Sequence, residues 1–164
     1  TRKYHGLLVV PQPQLDNYNH VLLSSIDETV IANKEEFHFG VHQYEDGTIM
    51  PSGHKYLREF SAEPIPTLLY RVGTTKITKE YIFADNDSRI YIRYNVIEAA
   101  QPITLRLTPF LAFRNVHSLT HENHDANRKY VPLKNSSTQY SPYFPLSFTT
   151  SRYLYPVFLW YSEL

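Results

Sequence analysis

The 164 residues, 42% hydrophobic and 20% charged, suffice for one globular domain with a sizeable core and are too few for two of ordinary size. Basic and acidic side chains number 16 each, so no bulk field draws nucleic acid or an anionic membrane. With no Cys there is neither a disulfide framework nor a thiolate metal site, and the redox compartment stays open.

Alternating, β-branched and aromatic patterning runs through most of the chain, and sustained helical periodicity is absent. The chain starts without Met and is strand-like from residue 6, which predicts that upstream sequence has been removed. GLLVV (6–10) predicts a buried strand closed by Pro11 and Pro13. Residues 20–33 predict one bent strand or two, with the break near Ser24, Ser25 and Asp27. EFHFGVHQY (36–44) places Phe37, Phe39 and Val41 on one face and His38, Gly40 and His42 on the other. EDGT (45–48) supplies a turn.

A strand is expected around 56–61, then a hairpin of 67–73 and 74–84 turning at Gly73. A second hairpin pairs 88–99 with 102–113 through a turn near Ala100 and Gln101. In its first strand Ile90, Ile92, Tyr94 and Val96 share the apolar face; in its second, Pro109 signals a bulge or an edge. Residues 115–142 are polar and His-bearing, and are expected to form a long loop, functional or mobile. PLSFTT and YPVFLWY return as short strands. About ten to twelve strands joined by short turns predict an all-β, antiparallel two-sheet β-sandwich. No apolar run approaches the roughly 18 residues of a membrane span.

Chemistry-bearing clusters are few. His117, His121 and His124 have a spacing that a helix would turn into a zinc face, yet Ser118, Thr120, Asn123 and Asp125 favour turns there, so a solvated loop is the plainer reading. The carboxylate pairs at 27/28, 35/36, 45/46 and 85/87 fall in turns or on opposite strand faces, and none forms an acid/base couple. There is no GxSxG elbow, P-loop or dinucleotide fingerprint, so the chain by itself does not read as an enzyme and calls for no cofactor.

Two clusters remain: TRKYHG at the start and FRNVH at 113–117 each set Arg and His beside an aromatic ring. A planar donor fork, an imidazole and a stacking face together suit a polyhydroxylated ligand. The alternative is that Arg2 and Arg114 pair with carboxylates while His5 and His117 cap loose backbone groups.

TRKYHGLLVV (1–10), PSGHKYLREF (51–60), LTPFLAFRNVHSLTHEN (107–123) and WYSE (160–163), in this order, resemble the N-terminal domain of bacterial and archaeal-type glycogen debranching enzymes. The resemblance covers nearly the whole chain. It implies an N-terminal β-supersandwich, here a single domain over 1–164, followed by an α/α-toroid that carries amylo-α-1,6-glucosidase activity. The glycine-rich segment that precedes TRKYHG in that family is missing, so the first strands of the sheet are expected to lie upstream.

The resemblance further implies that this chain is inert alone and that its partners are an α-glucan, glycogen or branched maltooligosaccharide, and the catalytic domain. Neither nucleic acid nor membrane is expected. The site residues carried over are Arg2, Lys3, Tyr4, His5, Arg114 and His117, expected to gather at one rim of the sandwich, and glycogen turnover implies a cytoplasmic setting. A free-standing carbohydrate- or protein-binding β-sandwich is the other class that fits.

Overall fold

The computed structural model describes residues 3–44, 46–85, 87–119, 129–133, 137–140 and 146–149. Among them the chain is all β, with a single 3-10 turn at Gly53–Lys55. The strands are β1 (Leu8–Pro11), β2 (Asn19–Ala32), β3 (Glu35–His38), β4 (Leu57–Ser61), β5 (Thr67–Val72), β6 (Thr75–Phe83), β7 (Ile90–Glu98), β8 (Thr104–Asn115), β9 (Tyr130–Leu133), β10 (Ser137–Tyr140) and β11 (Leu146–Thr149).

One four-stranded sheet runs β1-β2-β3 with β8 also pairing β2, and another runs β4-β5-β6-β7. A three-stranded sheet, β11-β10-β9, is antiparallel throughout. The chain divides into two compact units whose boundaries fall inside β2 and β8: residues up to 25 with those from 108 onward, and residues 26–107.

In the 26–107 unit the β2–β3 part of the first sheet and the sheet β4-β5-β6-β7 supply the two layers of a sandwich. Val30 from β2, Phe39, Tyr70 from β5 and Ile77 from β6 form its buried centre, flanked by Phe37, Tyr56, Leu68, Val72, Ile103 and Leu105. The Phe39 and Tyr70 rings stack with centroids 4.4 Å apart at 6°, an arrangement that adds to the area they remove from water. Full burial of a side chain such as Ile77 contributes about 1.5–3 kcal/mol.

Turn chemistry sets the registers. Asn33 and Lys34 take φ 52° and 68° between Ala32 and Glu35, the two positive values that a tight type I′ hairpin needs. Gly73, at φ 56°, opens the two-residue turn between Val72 and Thr75. Gly53 is required for a different reason, since a Cβ there would sit 2.1 Å from the Phe39 carbonyl oxygen. That close approach is why glycine stands in the PSG stretch.

Several sequence expectations shift. Of the two alternatives for residues 20–33, the single strand holds, over Asn19–Ala32. The strand expected over 36–44 stops at His38; Phe39 still donates its N–H to the Glu28 carbonyl, and beyond it the Gly53 backbone packs against Phe39 and Gly40. Val41 is consequently exposed. In β7, Ile90, Ile92 and Tyr94 are half-buried as the alternation predicts, but the strand lies at the sheet edge and Val96 is exposed.

Pro109 lies inside β8, which among the described residues pairs with β2 alone, the edge position expected. The hairpin expected between 88–99 and 102–113 does not form, because β7 pairs β6 instead. The stretch expected to be a loop over 115–142 contains β9 and β10, whose pairing with each other and with β11 supplies what their weak local pattern does not. His121, His124 and YPVFLWY lie outside the described residues. Among the described residues no helix is long and apolar enough to cross a membrane.

Candidate functional site

In the unit that holds both chain-end clusters, β8 breaks its own alternation. Phe113 takes φ 47°, a left-handed conformation that costs a non-glycine residue free energy and reverses the expected side-chain direction. Phe113 and Arg114 are therefore both buried although adjacent. An arginine that strict alternation would have turned outward is only 3% exposed.

Its guanidinium acts on backbone. Nη1 donates to the carbonyl oxygen of Lys3 at 2.7 Å and to that of Ser118 at 3.1 Å, with a longer contact to the Asn115 carbonyl at 3.5 Å. Nε is buried without a hydrogen-bond partner, and among the described residues no carboxylate pairs with Arg114. Charge-assisted bonds of this kind are the stronger class. They tie the arm ahead of β1 to the turn after β8.

That tie brings side chains together. Tyr4 meets the His117 ring edge-on, centroids 5.8 Å apart at 81°, and Tyr18 meets the same ring at 5.2 Å and 84°. Lys3 Nζ lies 5.5 Å from the Tyr4 ring centroid, within cation–π range. The His117 backbone N–H donates to Asn115 Oδ1 at 2.8 Å, while its imidazole makes no hydrogen bond among the described residues. Among the described residues both of its ring nitrogens are thus uncommitted.

The floor of the cluster is the turn between β1 and β2. Gln12 O accepts from the N–H groups of Leu15, Asp16 and Asn17, and Asn17 takes φ 63°. Asp16 Oδ1 accepts from the Tyr18 backbone N–H and from His20 Nε2, both at 3.0 Å; Oδ2 accepts from Asn115 Nδ2 at 2.7 Å. The Tyr18 backbone bond foremost, opposed by burial and then helped by the bonds from Asn115 and His20, holds the Asp16 carboxyl below its usual range. Asp16 is a fastener with its oxygens occupied.

Of the residues that the sequence singles out, Lys3, Tyr4, Arg114 and His117 are brought together; His5 is exposed nearby in sequence, and Arg2 lies outside the described residues. Sequence reasoning missed Tyr18, Asp16 and Asn115. The first two sit in a Pro/Asn/Asp-rich turn and look like turn chemistry, although an aromatic at the exit of such a turn is a signal in itself.

The 26–107 unit holds chemistry of another sort. Glu28 on β2, Lys79 on β6 and Tyr94 on β7 are joined inside the sandwich, Lys79 Nζ and Tyr94 OH both donating to Glu28 Oε1, at 2.5 and 2.6 Å. Burial pulls the Lys79 ammonium down, but the Glu28 charge and its hydrogen bond, with help from Tyr81, more than offset this, and its pKa is raised. Burial first, then the Glu28 carboxylate, pushes the Tyr94 phenol up, so it remains a donor. His42 donates to Asp27 Oδ2 at 2.6 Å, a bond that raises the imidazole pKa against partial burial.

These groups are satisfied by one another and present no open face for a reaction. A shallow depression lined by Asn33, Glu35, Phe37, Val72, Thr75 and Gln101 lacks convergent charged groups. Among the described residues no three His, Asp or Glu are grouped to hold a metal ion.

A family model described as glycogen debranching enzyme N terminal matches residues 1–164. No curated protein and no solved structure matches the chain.

Proposed function

The chain belongs to the glycogen debranching enzyme N-terminal family, and from that premise we propose that it is a non-catalytic domain supporting hydrolysis of α-1,6-glucosidic branch points. The bond cleavage itself falls to a helical catalytic domain of the same protein, working on glycogen or branched maltooligosaccharides in the cytoplasm. The contribution of this chain is the cluster of Lys3, Tyr4, His5, Arg114 and His117, with Arg2, at the entrance through which a branch reaches the catalytic groups.

The observation that carries this reading is the bond from buried Arg114 to the Lys3 carbonyl, 111 positions away in the sequence, which sets Tyr4 against His117. A positive charge is costly to bury, and the bonds of this one to the Lys3 and Ser118 carbonyls support an organising role for it. Arg114 is too buried to touch a glucan and is a positioning residue, whereas Tyr4, His5 and His117 are exposed and are the contacts.

In the intact protein, His117→Ala is expected to lower kcat/KM for a branched limit dextrin by about tenfold, the range in which a misplaced substrate loses rate. Arg2→Ala is expected to act in the same direction. Normal branch-point kinetics in both variants would remove the proposal.

A further inference from the structure

Tyr18 belongs to neither cluster that the sequence singles out, yet it is 53% exposed while both of its backbone polar groups are hydrogen-bonded. Its N–H is bound by Asp16 and its carbonyl accepts from Gln12 N at 2.9 Å. A large ring fixed at its root and left in water forfeits the free energy that burial would give. Little entropy is then lost when a ligand covers it.

We propose that Tyr18, with Tyr4 on the same His117 ring, forms a stacking platform for an α-1,4-linked glucan chain, with Tyr18 as its principal contact. This rests on the reading above and names the ligand of that same site. The face of a glucopyranose ring is apolar C–H and its rim is hydroxyl, so it calls for an exposed aromatic face beside neutral donors and acceptors. The platform supplies both: two exposed phenols, and an imidazole that each of them meets and whose nitrogens are uncommitted among the described residues.

Tyr18 outranks Tyr4 because the Lys3 ammonium stands over the Tyr4 ring. Asp16, which could otherwise bind sugar hydroxyls, is engaged by Tyr18 N–H, His20 and Asn115 and serves to hold the platform in place.

The test places 3-fluorotyrosine at position 18 of the intact protein and follows its fluorine resonance during titration with maltoheptaose, and with cellopentaose as the β-linked control. A saturable shift with maltoheptaose and none with cellopentaose is expected. In native gels containing glycogen, Tyr18→Ala should weaken retention about fivefold and Tyr18→Phe, which keeps the ring, less than about twofold.

An unmoved resonance at maltoheptaose concentrations that release the protein from glycogen overturns the platform. If His117→Ala still slows branch hydrolysis in that case, the supporting role stands without it. If the resonance moves while His117→Ala and Arg2→Ala both hydrolyse branches normally, the platform stands and the supporting role falls.

Discussion

The two units each bury a cation, and they treat it in opposite ways. Lys79, 5% exposed, faces a carboxylate that a tyrosine also binds, so its charge is neutralised within the sandwich. Arg114, 3% exposed, faces main-chain carbonyls from two segments and, among the described residues, no carboxylate. The first arrangement is closed: it joins two layers and orders nothing outside itself. The second uses the charge to hold loop backbone in place, and the side chains of that backbone are the ones left in the open.

The sharpest challenge to this contrast is removal of each charge's counterpart or of the charge itself. Glu28→Ala strands a buried ammonium and should cost about 3–5 kcal/mol in urea unfolding, while Glu28→Leu combined with Lys79→Met should recover most of it, because the desolvation of both charges disappears together. A double variant as unstable as the single one would show that the pair does more than neutralise itself.

Arg114→Ala leaves no stranded carboxylate among the described residues and loses bonds to neutral carbonyls only, so about 1–3 kcal/mol is expected. Its distinctive effect is local: amide exchange of residues 3–5 and 115–118 should accelerate well beyond that of β6. Uniform acceleration across both regions would erase the distinction drawn between them.

A smaller effect comes from His42. Its folded pKa is raised, so protonated His42 paired with Asp27 adds stability that is fully present below the unfolded value near 6.5 and is lost as pH rises through the folded one. Between pH 6 and 8 the unfolding free energy should therefore decline, and His42→Gln should flatten that decline in thermal melts. Smallest of all, Arg106→Gln removes a bidentate pair with Glu36 on the surface of the 26–107 unit and should cost less than about 1 kcal/mol, vanishing at high salt.

The legibility of the chain varies with how local the deciding interaction is. The β5–β6 hairpin was readable from Gly73 and alternation, and its residues pair as Val72 with Thr75. β9 and β10 were not, because their pairing with each other and with β11 makes them strands more than their side chains do. Lys79 shares the buried face of β6 with Thr75 and Ile77, a position that looks wrong for lysine until Glu28, on another sheet, is seen to meet it. For the candidate site, Lys3, Tyr4, Arg114 and His117 were visible as residue types, while Tyr18 was hidden among turn formers.

By itself, then, the amino-acid order determined an all-β chain, most of its strand positions and its family, since period-two alternation, turn residues and motifs act within a few neighbours. Only the tertiary structure decided which way Arg114 points, through the reversed backbone at Phe113, and which rings surround His117. Those outcomes depend on main-chain geometry and on partners a hundred residues apart, and no local pattern encodes them.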